Sequence, residues 1–139
     1  MEVQMTNEYT PYGWMFERLS DDVDGEAVRT LVPRADVISD GEGYRFSLEM
    51  PGLKAESIDV RFEDRAVVVE AERKRPELPK GSEVHFAERA HGKIRRAFEL
   101  PDDADQGRIV ASYRDGVLEV SVPKRPESRP VKVKVNVEN

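Results

Sequence analysis

Asp115-Gly116-Val117-Leu118-Glu119-Val120-Ser121-Val122-Pro123-Lys124 decides how this chain folds. Asp-Gly ahead of an alternating run marks a tight turn into a half-buried strand, with Leu118, Val120 and Val122 on one face. Pro123 has no N–H to continue the ladder, so the strand, and with it the folded domain, ends near Lys124. Beyond it, residues 125–130 are charged and carry two prolines, yet Val131, Val133, Val135 and Val137 fall on one side of an extended chain. A short tail cannot bury that face by itself, so it needs a surface to dock on.

Upstream, period two recurs. Tyr44, Phe46, Leu48 and Met50 alternate with polar residues, Pro51-Gly52 turns the chain, and Ile58, Val60 and Phe62 alternate again. Glu63-Asp64-Arg65 turns into Ala66-Val67-Val68-Val69, a continuous apolar run of the kind buried on both faces. A charged segment with two prolines and a glycine, residues 72–83, interrupts the pattern, and loops of that length in compact domains commonly serve function. Val84 and Phe86 fit one short strand, Ile94, Arg96, Phe98 and Leu100 another, and Ile109, Ala111 and Tyr113 a third before the Asp115-Gly116 turn. Seven or eight short strands with hairpin turns and almost no helix define an antiparallel β-sandwich. Arg96 has the parity of its apolar neighbours, which leaves two readings open: an inward arginine that finds a partner or an interface, or a bulge that turns it outward.

Composition narrows the function. The 139 residues match one domain with arms: an N-terminal arm over 1–31, a domain over 32–124 and a C-terminal extension over 125–139. The arm gathers Tyr12, Trp14, Met15, Phe16 and Leu19 around Pro11 and Gly13, which oppose regular structure. It is read either as a flap packed on the domain or as an interaction surface. Net charge is −6, with the arm strongly acidic and the extension slightly basic, an arrangement unsuited to nucleic acid. No apolar run approaches the ~20 residues of a membrane span, and the first residues lack a secretory signal pattern, so a cytoplasmic location is expected. With no cysteine there is no thiol nucleophile or zinc-thiolate site. His85 and His91 lack metal-binding spacing, no serine sits in a nucleophile elbow, and Gly41-Glu42-Gly43 precedes a strand rather than a helix. Neither a metal, a cofactor nor an enzymatic activity is expected.

Three segments in register then resemble the α-crystallin domain of the small heat-shock proteins, in its bacterial and plant form. They are Pro51-Gly52-Leu53, the run from Arg89 through Gly92, Ile94, Arg96, Phe98 and Leu100 to Pro101, and the run from Ile109 to Lys124. The resemblance covers about residues 33–124 and implies an immunoglobulin-like β-sandwich. It implies an ATP-independent holdase that captures partly unfolded client proteins, with the aromatic arm as client-binding surface. It places the family's tail motif on Val133 and Val135, with Val131 and Val137 offering alternate registers. It also implies a docking groove on a neighbouring subunit lined by Ile58, Val60, Phe62, Ile109 and Ala111. Within the long loop, Val84-His85-Phe86 becomes a strand that pairs with the partner in a swapped dimer, and Arg96 falls near that interface. Such dimers would assemble into larger oligomers. A β-sandwich adaptor of the co-chaperone kind, binding one defined partner, is the alternative.

Overall fold

The computed structural model describes residues 30–128 and 130–138. Among them are seven strands and three single-turn 3-10 helices. The strands are β1 (Ala35–Ser39), β2 (Gly43–Glu49), β3 (Asp59–Glu63), β4 (Ala66–Arg73), β5 (Gly92–Glu99), β6 (Val110–Arg114) and β7 (Val117–Pro123). Every neighbouring pair is antiparallel, in two sheets ordered β1-β2-β7-β6 and β3-β4-β5. Each sheet belongs to its own compact unit, the smaller sheet to the unit holding residues 52–101 and the larger to the one holding 34–51 and 102–138.

In the three-stranded sheet, register puts Val60, Phe62, Val67, Val69, Ile94, Arg96 and Phe98 on one face. The other face alternates charge with small apolar residues: Asp59, Arg61, Glu63, Glu70 and Arg95 surround Ala66, Val68 and Ala97. Those three small residues are nevertheless buried, so the continuous apolar run of β4 is covered on both sides, as the sequence indicates. Asp64 and Arg65 turn the chain from β3 to β4 with φ of 49° and 67°. Two successive left-handed residues give a hairpin turn whose twist matches that of the strands.

In the four-stranded sheet, Tyr44, Phe46 and Leu48 of β2 share a face with Leu118, Val120 and Val122 of β7, and all six are buried. β2 and β7 lie so close that a Cβ on Gly43 would come within 2.5 Å of the Val122 carbonyl oxygen, which explains glycine there. Asp115 and Gly116 adopt φ of 53° and 77°, the tight turn anticipated between β6 and β7. The Gly116 carbonyl accepts from the Met50 N–H at 2.8 Å. At the opposite end, Asp40 Oδ1 accepts from the Glu42 and Gly43 N–H groups at 2.8 and 3.1 Å, closing the β1–β2 turn. Those two bonds hold the Asp40 carboxyl below its ordinary range.

Two expectations need correction. Within the single chain residues 84–86 form no strand, since none of the described residues pairs with them. The seventh strand is instead β1, whose central residues Asp36, Val37 and Ile38 are exposed, so it lacks the half-buried alternation that reveals a strand in sequence.

Candidate functional site

The surfaces singled out in the sequence lie on strand edges, in one loop and along the tail. β3 is an edge of the smaller sheet, and its Val60 and Phe62 are half-buried on the face they share with the covered Val69 and Val67. Ile58, also half-buried, follows the turn Ala55–Ser57 and donates its N–H to the Ala55 carbonyl. β6 is an edge of the larger sheet. Its Ala111 pairs with Val120 and so has inward parity, yet it is exposed, and Ile109 before it is half-buried. The proposed groove residues therefore divide between two edge strands, one in each unit, and both strips are apolar and incompletely covered. Tyr113, placed on this strand by its alternation, has a role spacing does not reveal: its hydroxyl donates to the Met50 carbonyl at 2.6 Å and fixes β6.

Along the tail, Val131, Val133, Val135 and Val137 are 77%, 78%, 85% and 85% exposed, and residues 130–138 form no strand. In the loop, Val84 and Phe86 are exposed, Phe86 the more so at 86%. With His85, His91 and the exposed Leu78 they line an open depression of about 420 Å³. His91 Nδ1 lies 3.0 Å from the Arg89 carbonyl, to which a protonated Nδ1 donates. Tyr12, Trp14, Met15, Phe16 and Leu19 lie outside the described residues.

Arg96 takes the inward reading. It is half-buried, its Nη1 donates to the Pro33 carbonyl at 2.7 Å, and its guanidinium stacks 4.9 Å from the Phe98 ring centre. A guanidinium tolerates this position because its planar charge can bond a carbonyl and face a ring at once. The carbonyl comes from just ahead of β1, near Leu31, whose backbone bonds the β5 edge through Lys93 and Arg95.

Charge is concentrated on the other face of the smaller sheet. Arg61 bonds Asp59, Glu63 and Glu70 at 2.6, 2.8 and 3.0 Å, and Arg95 bonds Glu70 at 2.9 Å. Hydrogen bonding from Arg61 holds the Glu70 carboxyl below its usual range; burial opposes this and Arg95 reinforces it. The same carboxylates, Glu70 foremost, raise the Arg61 guanidinium further. A Glu70 carboxyl held low by two arginines stays ionised, which suits a structural brace rather than proton transfer at neutral pH. Among the described residues no group of three His, Asp or Glu side chains is placed to hold a metal ion. No helix among them is long and apolar enough to cross a membrane.

The described residues form an antiparallel all-β structure with exposed edge strips and an apolar tail. The Hsp20/alpha crystallin family matches residues 36–138, and the chain belongs to that family. Among curated relatives, a 17.7 kDa class II heat shock protein of Arabidopsis thaliana is 40% identical over 102 residues, covering 72% of this chain and 65% of that protein. The 18 kDa antigen of Mycobacterium leprae is 35% identical over 120 residues, covering 86% and 80%. A small heat-shock protein of Xylella fastidiosa, whose crystal structure reveals a distinct high order structure, superposes with a TM-score of 0.65 at 29% identity. That superposition covers 78% of this chain and all of the Xylella one. The immunoglobulin-like sandwich class of the α-crystallin domain, expected from the sequence, is the fold class of this chain.

Proposed function

We propose that this protein is an ATP-independent holdase, active in the cytoplasm, that captures partly unfolded clients and keeps them from aggregating. The observation that carries the reading is the tail: four valines in one period-two row, each more than three-quarters exposed. Apolar side chains aligned and exposed along one side of a segment mark a surface that docks on a partner. Val133 and Val135 dock on a neighbouring subunit, against the apolar strips of Ile58, Val60, Phe62 and of Ile109, Ala111. Val84, His85 and Phe86 gain a ladder partner by crossing to a second copy, where β1 is an edge of its sheet among the described residues. Arg96 holds the Pro33 carbonyl, two residues ahead of β1, from within its own chain.

Dimers built this way assemble further through the tails, and Tyr12, Trp14, Met15, Phe16 and Leu19 of the arm meet the client. Destabilised proteins expose apolar surface and strand edges, and surfaces of the same kind, offered reversibly, occupy them before they meet each other. The reading uses no catalytic group, cofactor or nucleotide. Its test is light scattering of a heated model client without ATP. Suppression at one subunit per client is expected, and scattering equal to that of client alone at that ratio refutes the holdase.

A further inference from the structure

The larger sheet has a second face that the tail-docking reading leaves unused. On it, one cross-strand row runs Ile38, Arg45, Ser121, Val110 across all four strands. Ile38 and Val110, at its two ends, are 55% and 66% exposed. The row forms the floor of an open trough of about 630 Å³ rimmed by Asp40 and Glu42 at the β1–β2 turn and by Arg108 near β6. The tail passes this rim: a Cβ on Gly41 would lie 3.2 Å from Pro130 Cγ, and the Lys124 N–H donates to the Glu42 carbonyl at 2.7 Å.

We propose that this trough is a docking site for the tail of the same chain, residues 131–138 lying across the four strands as a strap. Two lengths agree. Ile38 and Val110 are three strand spacings apart, ~14 Å, and Val133 and Val137 of an extended chain are ~13 Å apart. With Pro130 held at the β1 end, Val133 reaches Ile38 and Val137 reaches Val110. Lys132 and Lys134 then pass near Asp40 and Glu42, while Glu138 arrives near Arg108, so charge matches at both ends. Between them, the Arg45 guanidinium and the Ser121 hydroxyl donate to carbonyls of the strap, whose backbone makes no ladder because it crosses the strands.

The strap deepens the proposed assembly role of the tail and rests on it for its consequence. A tail held on its own chain is withheld from a neighbour's groove, so the strap is a competitor that weakens assembly by its own population. Should tails play no part in assembly, the strap still forms and only that consequence disappears.

Since the chain has no cysteine, the test is disulfide trapping in the full-length protein. Ile38→Cys with Val133→Cys, and separately Val110→Cys with Val137→Cys, are oxidised beside a control. The control pair is Ser112→Cys with Glu119→Cys, which are direct cross-strand neighbours. Each variant is an exchanged one-to-one mixture of ¹⁵N-labelled and unlabelled chains. Both tail pairs are expected to link at no less than a third of the control yield, with linked peptides carrying a single label. A lower yield, or mixed labels in statistical proportion, overturns the strap, the latter by assigning the trough to another chain's tail. A second readout needs no cysteine: Ile38→Asp with Val110→Asp should lower the concentration at which oligomers half-dissociate, about tenfold for a strap populated ten to one. If trapping succeeds and assembly is unchanged by these substitutions, the strap stands and tail-driven assembly falls.

Discussion

Because the four tail valines are equally spaced, the energetics of groove docking should depend on which pairs survive substitution and not on any single position. Each is at least 77% exposed before docking, so nearly all of its side-chain area remains to be buried. Val→Ala removes two carbons, worth at most ~1.6 kcal/mol at ~0.8 kcal/mol each. Docking uses two valines separated by one residue, which allows three registers: 131/133, 133/135 and 135/137. A peptide of residues 126–138 carrying Val133→Ala and Val135→Ala still keeps one valine in a shifted register. It loses ~1.6 kcal/mol and one of three registers, about 20-fold in affinity. Replacing all four loses ~3.2 kcal/mol, about 200-fold, while Val131→Ala with Val137→Ala leaves the central pair intact and costs about threefold, the statistical factor of three registers. Titration calorimetry of these peptides against a chain ending at Lys124 measures the series without competition from the attached tail. If the 133/135 peptide loses as much as the fourfold one, the tail has a single register and slippage is refuted. Equal affinity for all peptides refutes valine docking altogether.

Other expectations concern stability. Tyr113→Phe removes the 2.6 Å bond to the buried Met50 carbonyl and should cost about 1–2 kcal/mol, lowering Tm by several degrees and loosening β6, which amide exchange reports. Gly43→Ala sets a methyl 2.5 Å from a backbone oxygen that cannot move without parting β2 from β7; a loss of ~3 kcal/mol or more is expected in urea unfolding. The Glu70 and Asp40 carboxyls are held low in the folded chain, so their contribution is complete above the unfolded carboxylate range near pH ~4 and disappears as pH falls through their folded values. Stability should decline below about pH 4, and Glu70→Gln should flatten that decline in acid unfolding curves.

Strands with one covered face announced themselves in the sequence. Tyr44 to Met50 and Leu118 to Val122 alternate because burial selects apolar residues at every second position, and the turns at Asp115-Gly116 and Pro51-Gly52 were legible from the backbone freedom those residues provide. β1 was not legible, since its central residues are exposed and its place comes from pairing with β2. Residues 84–86 looked like a strand for the converse reason: apolar alternation reads the same in sequence whether the described chain covers it or, as at Val84 and Phe86, leaves it exposed. The buried Ala66, Val68 and Ala97 were half visible, as a continuous apolar run in β4 but not as a cluster joining β5. As for the candidate site, the tail valines were plain from spacing, whereas the trough was hidden because Ile38, Arg45, Ser121 and Val110 meet only through strand register.

Sheet order also sets an order of events during synthesis. The three-stranded sheet is drawn from strands that follow one another within residues 59–99. The four-stranded sheet pairs β2 with β7 across about 70 to 80 residues of intervening chain. Since non-local pairing waits on loop closure, a chain leaving the ribosome completes its small sheet while β1 and β2 still lack β7, and Phe46 and Leu48 acquire their cross-strand neighbours only after Val120 and Leu118 emerge. For that interval the nascent protein displays the same apolar strand edges that it is proposed to shield in others, which under that proposal makes it the first client of copies already folded.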